Sequence, residues 1–462
     1  MNLLLSIIGA LLFSDDAKVA AADWPQFRGP SGQGLVLSEA LPVRWSDRRN
    51  ISWKTPIRGV GYSSPVVSNG QIWLTTAVEE EGRLLVVVLD LQTGRQLREI
   101  PVFQHDKLWA IHWKNSHASP TPVLADGRCY VHFGSHGTAA LDQQGQILWK
   151  QRLLYYHHHG PSSSPVLVGK TLVVSCDGLD HSFYDDRVIT DPIAPQFVAG
   201  LDADTGDIRW ITRRDGRHSY ATPLAITVDG QSQVVCPGGS FVAAYDPETG
   251  TELWRVRHNG YSLVPRPVFG NGLVYVCTGY DEPTLLAIRP NGQGDVTDSH
   301  VVWKSTEAVP LNPSPILADD ALYTLSDNGV ATCYDAVTGK TRWKKRVGGN
   351  YSASPLMSGN RLYLLNESGT TLVADVSGSY KLLTRNLLDG RTLASLSAAG
   401  DSLLLRTDTQ LLRIDQLTSD DASEAPVTGD EESQNDKSQK GNSAEDSDGI
   451  RIRGRSKEPI QP

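Results

Sequence analysis

The sequence predicts an all-β fold, an eight-bladed β-propeller, from three observations. The 462-residue chain holds 42 glycines and 26 prolines but only 2 methionines, which is typical of many short strands joined by turns. A unit of roughly 40 to 60 residues, the range of propeller blades, recurs along the chain. The last such unit is followed by three further strands, and a matching fourth strand precedes the first unit.

Each repeated unit opens with a residue, usually small, and a proline, which precede an apolar strand. It closes with an Asp-x-x-Thr-Gly turn that is followed by tryptophan. The turn residues favour a tight reversal, and the tryptophan has a large face to bury against the next unit. The clearest closing segments are 200–210, 244–254 and 333–343, with weaker copies at 89–94 and 141–149. The seven openings are Ser64-Pro65, Thr121-Pro122, Ser164-Pro165, Thr222-Pro223, Arg266-Pro267, Ser314-Pro315 and Ser354-Pro355.

The eighth blade is predicted to combine the two ends of the repeat region. Strands at 392–397, 402–407 and 410–414 lack a partner, and segment 51–57 carries Trp53 where a closing tryptophan belongs. One sheet cannot bury both of its faces, whereas a closed ring of sheets can. We therefore predict four-stranded antiparallel blades over residues 51–417, with the N-terminal strand closing the ring and residues 23–50 forming an arm that leads into it.

The two ends of the chain predict export and disorder. Residues 1–22 have an apolar run from Leu3 to Phe13 and small residues at 20–22, which indicates a signal peptide. The run is shorter than the roughly 20 residues of a membrane span, so the mature chain has no predicted transmembrane segment. No cysteine follows the run, so we expect a periplasmic or secreted protein that is not a lipoprotein. Residues 418–462 form an acidic, serine-rich tail that is too poor in apolar residues to fold.

Charge and cysteine content exclude several classes of function. The net charge is −9, and the tail, with 11 acidic and 6 basic residues, carries five of those charges. A nearly neutral body lacks the basic face that nucleic acid requires, so we expect no nucleic-acid partner. We also expect the protein to be a monomer. The five cysteines lie in apolar runs without a CxxC pair, which signals neither a disulfide framework nor a zinc cage.

The histidines concentrate on one predicted face of the propeller. Loops between blades and loops between the second and third strands lie at the same end of the ring, here called the long-loop face, and they hold ten of the 12 histidines. Aromatic residues gather there too, so we predict a ring-lined surface for a protein or a small ligand. The candidate rim comprises Tyr62, Trp109, His112, Trp113, Asn115, His117, His136, His157, His158, His159, His181, His218, Tyr220, His258, Tyr261 and Tyr351.

The run at 157–159 raises the question of metal binding. Adjacent residues of an extended loop point in alternating directions, so a zinc site would need ligands from elsewhere, such as His117 or His136. We expect no bound metal and favour a hydrogen-bonded or pH-sensitive rim.

A Ca²⁺ site in the acidic loop 177–196 is conceivable, but a solvated loop is favoured. The serines at 162–164 lack a Gly-x-Ser-x-Gly elbow, and Ser164 occupies a repeated scaffold position.

The closing segments resemble a known repeat. Residues 244–254 match Ala-x-Asp-x-x-Thr-Gly-x-x-x-Trp at every fixed position, and segments 200–210 and 333–343 miss only the alanine. This pattern resembles the pyrroloquinoline quinone (PQQ) type propeller repeat. Residues 23–34 likewise resemble the start of secreted PQQ-like propeller proteins. The resemblance spans roughly residues 23 to 416.

The resemblance implies two classes of function. One is the quinoprotein dehydrogenases, which hold PQQ and Ca²⁺ at the propeller centre, and the other is non-catalytic scaffolds such as the propeller subunit of the outer-membrane β-barrel assembly machinery. This chain has neither adjacent cysteines nor a CxxCH haem motif. We therefore expect a non-catalytic scaffold without catalytic residues or a cofactor. A PQQ-dependent oxidoreductase, with PQQ and Ca²⁺, is the alternative.

Overall fold

The computed structural model describes residues 23–106, 108–157, 159–178 and 193–416. The segments predicted to be a signal peptide and a tail fall outside these ranges, as do most of the acidic loop and the rim candidates His158 and His181. The predictions for those segments therefore stay predictions. Within the described ranges, no helix is long and apolar enough to cross a membrane.

Eight four-stranded antiparallel sheets confirm the predicted propeller. Blades 1 to 8 are numbered in chain order, and the first strands of blades 1 to 4, and those of blades 5 and 6, contact one another in sequence. From first to fourth strand, the blades comprise Val66–Ser68, Gln71–Val78, Arg83–Asp90 and Gln96–Gln104; Val123–Ala125, Arg128–His132, Thr138–Asp142 and Ile147–Gln151; Val166–Val168, Thr171–Asp177, Gln196–Asp202 and Ile208–Arg213; Leu224–Val228, Gln231–Pro237, Phe241–Tyr245 and Glu252–Arg257; Val268–Gly270, Leu273–Cys277, Leu285–Ile288 and Val301–Ser305; Ile316–Ala318, Ala321–Leu325, Val330–Asp335 and Thr341–Arg346; Leu356–Ser358, Arg361–Leu365, Thr370–Asp375 and Lys381–Leu387; and Ser397–Ala399, Ser402–Arg406, Gln410–Ile414 and Ile51–Pro56.

The N-terminal strand closes the ring as predicted. Ile51–Pro56 pairs antiparallel with Gln410–Ile414 and supplies the fourth strand of blade 8. Two short strands extend other blades in parallel, Leu35–Val36 beside the first strand of blade 7 and Gly294–Asp295 beside the fourth strand of blade 4. The described helices are a single α-turn at Thr297–His300 and a 3₁₀ turn at Glu79–Glu81.

The repeated tryptophan docks four blades onto the closing turn of the next blade, whereas the Trp254 indole N–H of blade 4 donates to Gln233 of its own blade. Trp149 of blade 2 donates its indole N–H to the Ala203 carbonyl of blade 3 at 3.0 Å, and Trp210 of blade 3 donates to Pro247 of blade 4 at 3.0 Å. The glycine of each turn is required for this contact. A Cβ on Gly206, which has φ +79°, would lie 2.5 Å from the Trp149 ring. Trp53 and Trp303 make the same bond to the next blade.

The residues before the repeated prolines link the blades around the centre. The backbone N–H of Ser64 donates to the hydroxyl of Thr121, Thr121 donates to Ser164, and Ser164 donates to Thr222, each at 2.9 to 3.0 Å. The series resumes at blade 5 and reaches Ser395 in blade 8. The hydroxyl of Ser164 is therefore occupied by the scaffold, which agrees with its predicted structural role.

The segment 23–36 crosses the centre of the ring. The Trp24 N–H donates to the Val67 carbonyl of blade 1, the Pro25 carbonyl accepts from Leu124 of blade 2, and the Gly34 carbonyl accepts from blade 7. Between these contacts, the Phe27 carbonyl accepts from the Arg266 guanidinium of blade 5 at 2.7 Å. The segment is therefore built into the propeller rather than lying beside it.

Two guanidinium groups are buried where this segment crosses. Arg28 and Arg266 are each 2% exposed, and the Arg28 guanidinium has no hydrogen-bond partner among the described residues. Burial and then the nearby Arg266 charge lower the pKa of Arg28 to about 9. Arg266 stands at the position that serine or threonine occupies in the other units, and its Nε donates to the Pro223 carbonyl. Blade 5 therefore has a buried cation at the position where the other blades have an uncharged hydroxyl group.

Candidate functional site

The connection from blade 1 to blade 2 crosses the long-loop face. It leaves Gln96–Gln104 and enters Val123–Ala125, and its Lys114 ammonium lies 2.7 Å from the Glu367 carboxylate of blade 7. The Arg391 guanidinium, before blade 8, lies 5.4 Å from the Trp113 ring centroid. These contacts hold one connection against loops on the other side of the ring. They leave Trp113 with 45% of its surface exposed.

Beneath this connection, five rings form what we call the imidazole cluster: His105, Trp109, His117, His136 and His157. His136, in the loop between the second and third strands of blade 2, is fully buried. Its ring stacks on Trp109 with centroids 4.1 Å apart and planes 20° apart. His105, His117 and His157 surround it at 4.7, 5.1 and 5.3 Å. Sequence reasoning placed these residues on one face, and the structure brings them into contact.

Hydrogen bonds fix the orientation of these rings. His136 Nε2 lies 3.2 Å from His117 Nδ1, so one of the two carries the shared proton. His157 has two donors, with the Trp109 indole N–H at 2.9 Å from Nε2 and the Ser135 backbone N–H at 3.0 Å from Nδ1. A neutral imidazole has one acceptor nitrogen, so these two donors compete for a single lone pair.

Burial keeps His117 and His136 uncharged. Loss of water contact lowers the pKa of His117 to about 4. For His136, burial acts first and the neighbouring His157 and His117 add to it, so its pKa lies far below the ordinary range. Neutral imidazoles are the form that binds metal ions and donates or accepts hydrogen bonds without an acidic partner.

A second group of rings, here called the aromatic belt, runs from blade 2 towards blade 5. It contains His112, His159, His218, Tyr220, Tyr261 and Tyr280, with successive centroids 5.3 to 6.2 Å apart. The Tyr220 hydroxyl lies 2.6 Å from His159 Nδ1, and the Arg217 guanidinium lies 3.6 Å from the Tyr261 ring centroid. Asn115 donates its amide N–H to the His159 carbonyl and so joins the belt to the crossing connection.

The remaining rim candidates lie apart from these two groups. Tyr62 lies beside the buried Arg406, which donates to the carbonyl and hydroxyl of Ser63. His258 accepts from the Gly260 backbone N–H, and Tyr351 is 1% exposed within the core of blades 6 and 7. His117, His136, His157, His218 and Tyr220 are also buried, so the accessible surface is narrower than the predicted rim.

Sequence reasoning missed a buried ion pair below the belt. Asp177, at the end of the second strand of blade 3, pairs with Arg214, and both side chains are at most 2% exposed. Burial alone would lower the pKa of Arg214, but the Asp177 carboxylate outweighs it and raises that pKa. Neither residue belongs to the repeated pattern, so no local signal marked the pair. Tyr280, Arg217 and Arg391 were missed because they lie in loops without a motif.

The PQQ-type repeat implies a quinone and Ca²⁺, and these need particular ligand groups in the protein. Ca²⁺ requires several oxygen ligands, usually carboxylates. Asp177 is the one buried carboxylate among the described residues, and Arg214 already pairs with it. The long-loop face instead presents imidazole nitrogens, and its largest stacked pair, Trp109 and His136, is in direct contact. These groups do not fit a quinone held with Ca²⁺.

Comparisons with known proteins agree with this fold. Over 146 residues, which are 29% of this chain and 19% of the other protein, the chain is 30% identical to the quinohemoprotein alcohol dehydrogenase ADH-IIG of Pseudomonas putida. The structure is similar to BamB from Moraxella catarrhalis, with a TM-score of 0.57 and 15% identity over 79% of this chain and 97% of that one. It is also similar to the quinohemoprotein alcohol dehydrogenase of Comamonas testosteroni, with a TM-score of 0.59 and 12% identity over 87% and 82% of the two chains.

A family model covers most of the chain. The model described as "Outer membrane protein assembly factor BamB" matches residues 43–175, 104–293 and 292–447. The matched segments run through all eight blades, and this confirms the PQQ-like resemblance of the repeats. On this evidence the chain belongs to the PQQ_2 family of β-propeller proteins, the family of that assembly factor.

Proposed function

We propose that this chain is a non-catalytic scaffold that binds a protein partner on its long-loop face. The observation that carries the proposal is a pair of accessible aromatic side chains on this face, Trp113 and Tyr280, with arginine side chains nearby. Trp113 is 45% exposed and faces Arg391, and Tyr280 is 41% exposed and contacts Tyr261, on which Arg217 stacks. Tryptophan, tyrosine and arginine are the residues that contribute most to the affinity of protein interfaces.

The rigidity of this surface supports the proposal. Trp113 lies on a connection that is tied to blade 7 by the Lys114–Glu367 ion pair, and Tyr261 is held by its bridge to Tyr280. Side chains that are already ordered lose little conformational freedom when they bind. A partner would therefore gain affinity from preformed aromatic contacts instead of from ordering a loop.

The family supports a location in which such a scaffold would act. The matching model is described as an outer membrane protein assembly factor. Together with the predicted signal peptide at residues 1–22, this favours a protein that is exported to the periplasm or secreted. We further propose that it acts as a monomer. The tail at 418–462 is proposed to remain disordered in solution.

The competing candidate is a PQQ-dependent oxidoreductase, and the identity with a quinohemoprotein alcohol dehydrogenase over 146 residues favours it. Titration of the purified chain with PQQ and Ca²⁺, followed by absorbance and a dye-coupled alcohol assay, separates the two. We expect neither saturable binding nor turnover. Saturable binding with alcohol oxidation would overturn the scaffold proposal.

The scaffold proposal itself is tested with a displayed random peptide library. The wild-type chain is used for selection, and a Trp113→Ala, Tyr280→Ala variant is used to remove peptides that bind elsewhere. We expect enriched peptides that bind the wild type at least about tenfold more tightly, because an interface aromatic contributes upwards of about 1 to 2 kcal/mol. Enrichment of peptides that do not distinguish the two proteins would contradict the proposal.

A further inference from the structure

We propose that His117, His136 and His157 form a binding site for a transition-metal ion of the Zn²⁺ class. The three side chains are 2%, 0% and 3% exposed, and one ring nitrogen from each lies within 4.8 Å of the others. Imidazole nitrogen is a preferred ligand of Zn²⁺ and its neighbours in the first transition series. The site does not depend on the proposed role in protein binding.

The three ligands come from three connections at one end of blade 2. His117 precedes the first strand of that blade, His136 lies between its second and third strands, and His157 follows its fourth strand. The loop of His136 is itself hydrogen-bonded, since the Phe133 N–H donates to the Gly137 carbonyl. A site built on one blade is held by a single rigid sheet, which suits the fixed geometry of a metal centre.

The distances suit a tetrahedral ion. Metal–nitrogen bonds of about 2.0 to 2.1 Å place two tetrahedral nitrogens roughly 3.3 Å apart. His136 Nε2 and His117 Nδ1 are already 3.2 Å apart. For an ion to bond to both atoms, the proton that they share must move to the other nitrogen of its own ring, and the two metal–nitrogen bonds then replace the hydrogen bond. From the limit of 4.8 Å, the His157 nitrogen reaches bonding distance after a shift of about 1.5 Å or less.

The surroundings of the rings also suit a cation. The His117 ring hydrogen-bonds to the Trp109 backbone, and ligating histidines commonly use their second nitrogen in this way. Among the described residues, His136 Nδ1 is buried without a hydrogen-bond partner, and His157 accepts from two donors. The hydrogen bonds of the described residues therefore leave one nitrogen of the central ring unsatisfied. No carboxylate is buried beside them in the described parts of the chain, so three nitrogens would leave a fourth position for water or another ligand.

Metal binding has a predicted optical consequence at Trp109. Its ring stacks on His136 at 4.1 Å, and its indole N–H lies on His157 Nε2. A cation bound through His157 Nε2 would displace the indole hydrogen bond, and the His136 ring on which the indole stacks would carry the same cation. Binding should therefore change Trp109 fluorescence, and a Trp109→Phe variant should lose that change while it keeps most of the affinity.

The experiment uses the full chain, freed of metal with a chelator. Zn²⁺ is titrated by calorimetry and Co²⁺ by visible absorbance, which reports a tetrahedral nitrogen environment directly. We expect one ion per chain, and we expect His136→Gln to weaken binding more than about 100-fold, because even loss of an outer-shell partner costs about 10- to 100-fold. The matched control is His218→Gln, a buried histidine of the aromatic belt on the same face.

Each outcome decides the proposal. No saturable binding to the wild type, or equal loss in His136→Gln and His218→Gln, would overturn it and leave a metal-free histidine cluster. If near-ultraviolet circular dichroism shows that His136→Gln does not fold, His117→Gln and His157→Gln take its place. The wild type gives an independent readout, because stoichiometric Zn²⁺ should raise its melting temperature and a chelator should reverse the rise.

Discussion

The two ends of the central region bury basic groups in different ways. At the long-loop face, His117 and His136 are buried without an acidic partner among the described residues, and burial lowers their pKa values so that they stay neutral. Where the N-terminal segment crosses, Arg28 is equally buried, and its guanidinium has no hydrogen-bond partner in the described part of the chain. A guanidinium holds its proton far more tightly than an imidazole does, so the same burial is expected to be more costly there. Blade 3 gives a third arrangement, in which Arg214 is neutralised by Asp177.

The largest expected effect is a loss of stability in mild acid. Burial lowers the pKa of His117, His132 and His218 to about 4 each, from an unfolded value near 6.5. Above pH 6.5 both states are neutral, and as the pH falls from 6.5 towards 4 the unfolded chain takes up protons that the folded chain refuses. Stability should therefore fall by roughly 2 kcal/mol per histidine between pH 7 and pH 5, and by at most about 6 kcal/mol for the three.

Urea unfolding midpoints at pH 7, 6 and 5, measured with a chelator present, check this expectation. The variant His132→Gln should reduce the pH dependence by about one fifth, since burial also lowers the pKa values of His136 and His258 and four such histidines remain. A midpoint that stays constant or rises on acidification would contradict the claim that the imidazoles are buried neutral.

The next largest effect is expected at the ion pair of blade 3. Asp177→Ala leaves the Arg214 guanidinium buried and unpaired, in the condition of Arg28. Removing one partner of a buried pair costs about 3 to 5 kcal/mol, and chemical unfolding at pH 7 measures the loss. An exposed pair serves as control, because Asp281→Ala removes a surface partner of Arg217 and should cost less than about 1 kcal/mol. Equal losses at the two sites would show that burial does not set the penalty.

Arg28→Met should act in the opposite direction. The variant removes a buried charge that lacks a partner and keeps an unbranched apolar side chain in its place. We expect a gain of about 1 to 2 kcal/mol in the free energy of unfolding. A loss of more than about 1 kcal/mol would instead show that Arg28 pairs with a bound anion in solution.

The smallest effect concerns the hydroxyl links around the centre. Ser164→Ala removes the acceptor of the Thr121 backbone N–H, a bond of 2.9 Å between blades 2 and 3. The expected loss is about 1 kcal/mol, as for a typical internal hydrogen bond. A change in peptide binding or metal binding without any change in stability would contradict its assignment to the scaffold.

The repeats made the fold predictable, because most blades share the turn and the opening proline, and four of them use a tryptophan for the same contact to the next blade. The closing strand at 51–56 was found from Trp53 alone, since that residue docks on the turn at Leu91 as its counterparts do. The face that gathers the histidines was also predictable, because loop position follows from strand order. Which rings touch was not, since loops such as 105–117 have no repeated pattern to fix their path.

Residues that depart from the repeat pattern were a sequence signal for buried charges, and this signal was not used. Arg266 replaces the serine or threonine of the other units, and the structure shows that this residue is a buried cation, which was not predicted from the sequence. The Asp177–Arg214 pair left no such mark, because its partners lie 37 residues apart, Asp177 at the end of the second strand of blade 3 and Arg214 just after the fourth. Long-range pairs of this kind depend on tertiary packing that a single sequence does not display.

The most direct test of the proposed scaffold role is the affinity of an enriched peptide for two matched variants. Trp113→Ala changes the long-loop face, and Leu148→Ala changes the outer strand of blade 2 at a side chain of the same 45% exposure. We predict that Trp113→Ala weakens binding about tenfold or more, as measured by calorimetry, and that Leu148→Ala leaves it unchanged. Equal affinities for the two variants would show that the long-loop face is not the binding surface.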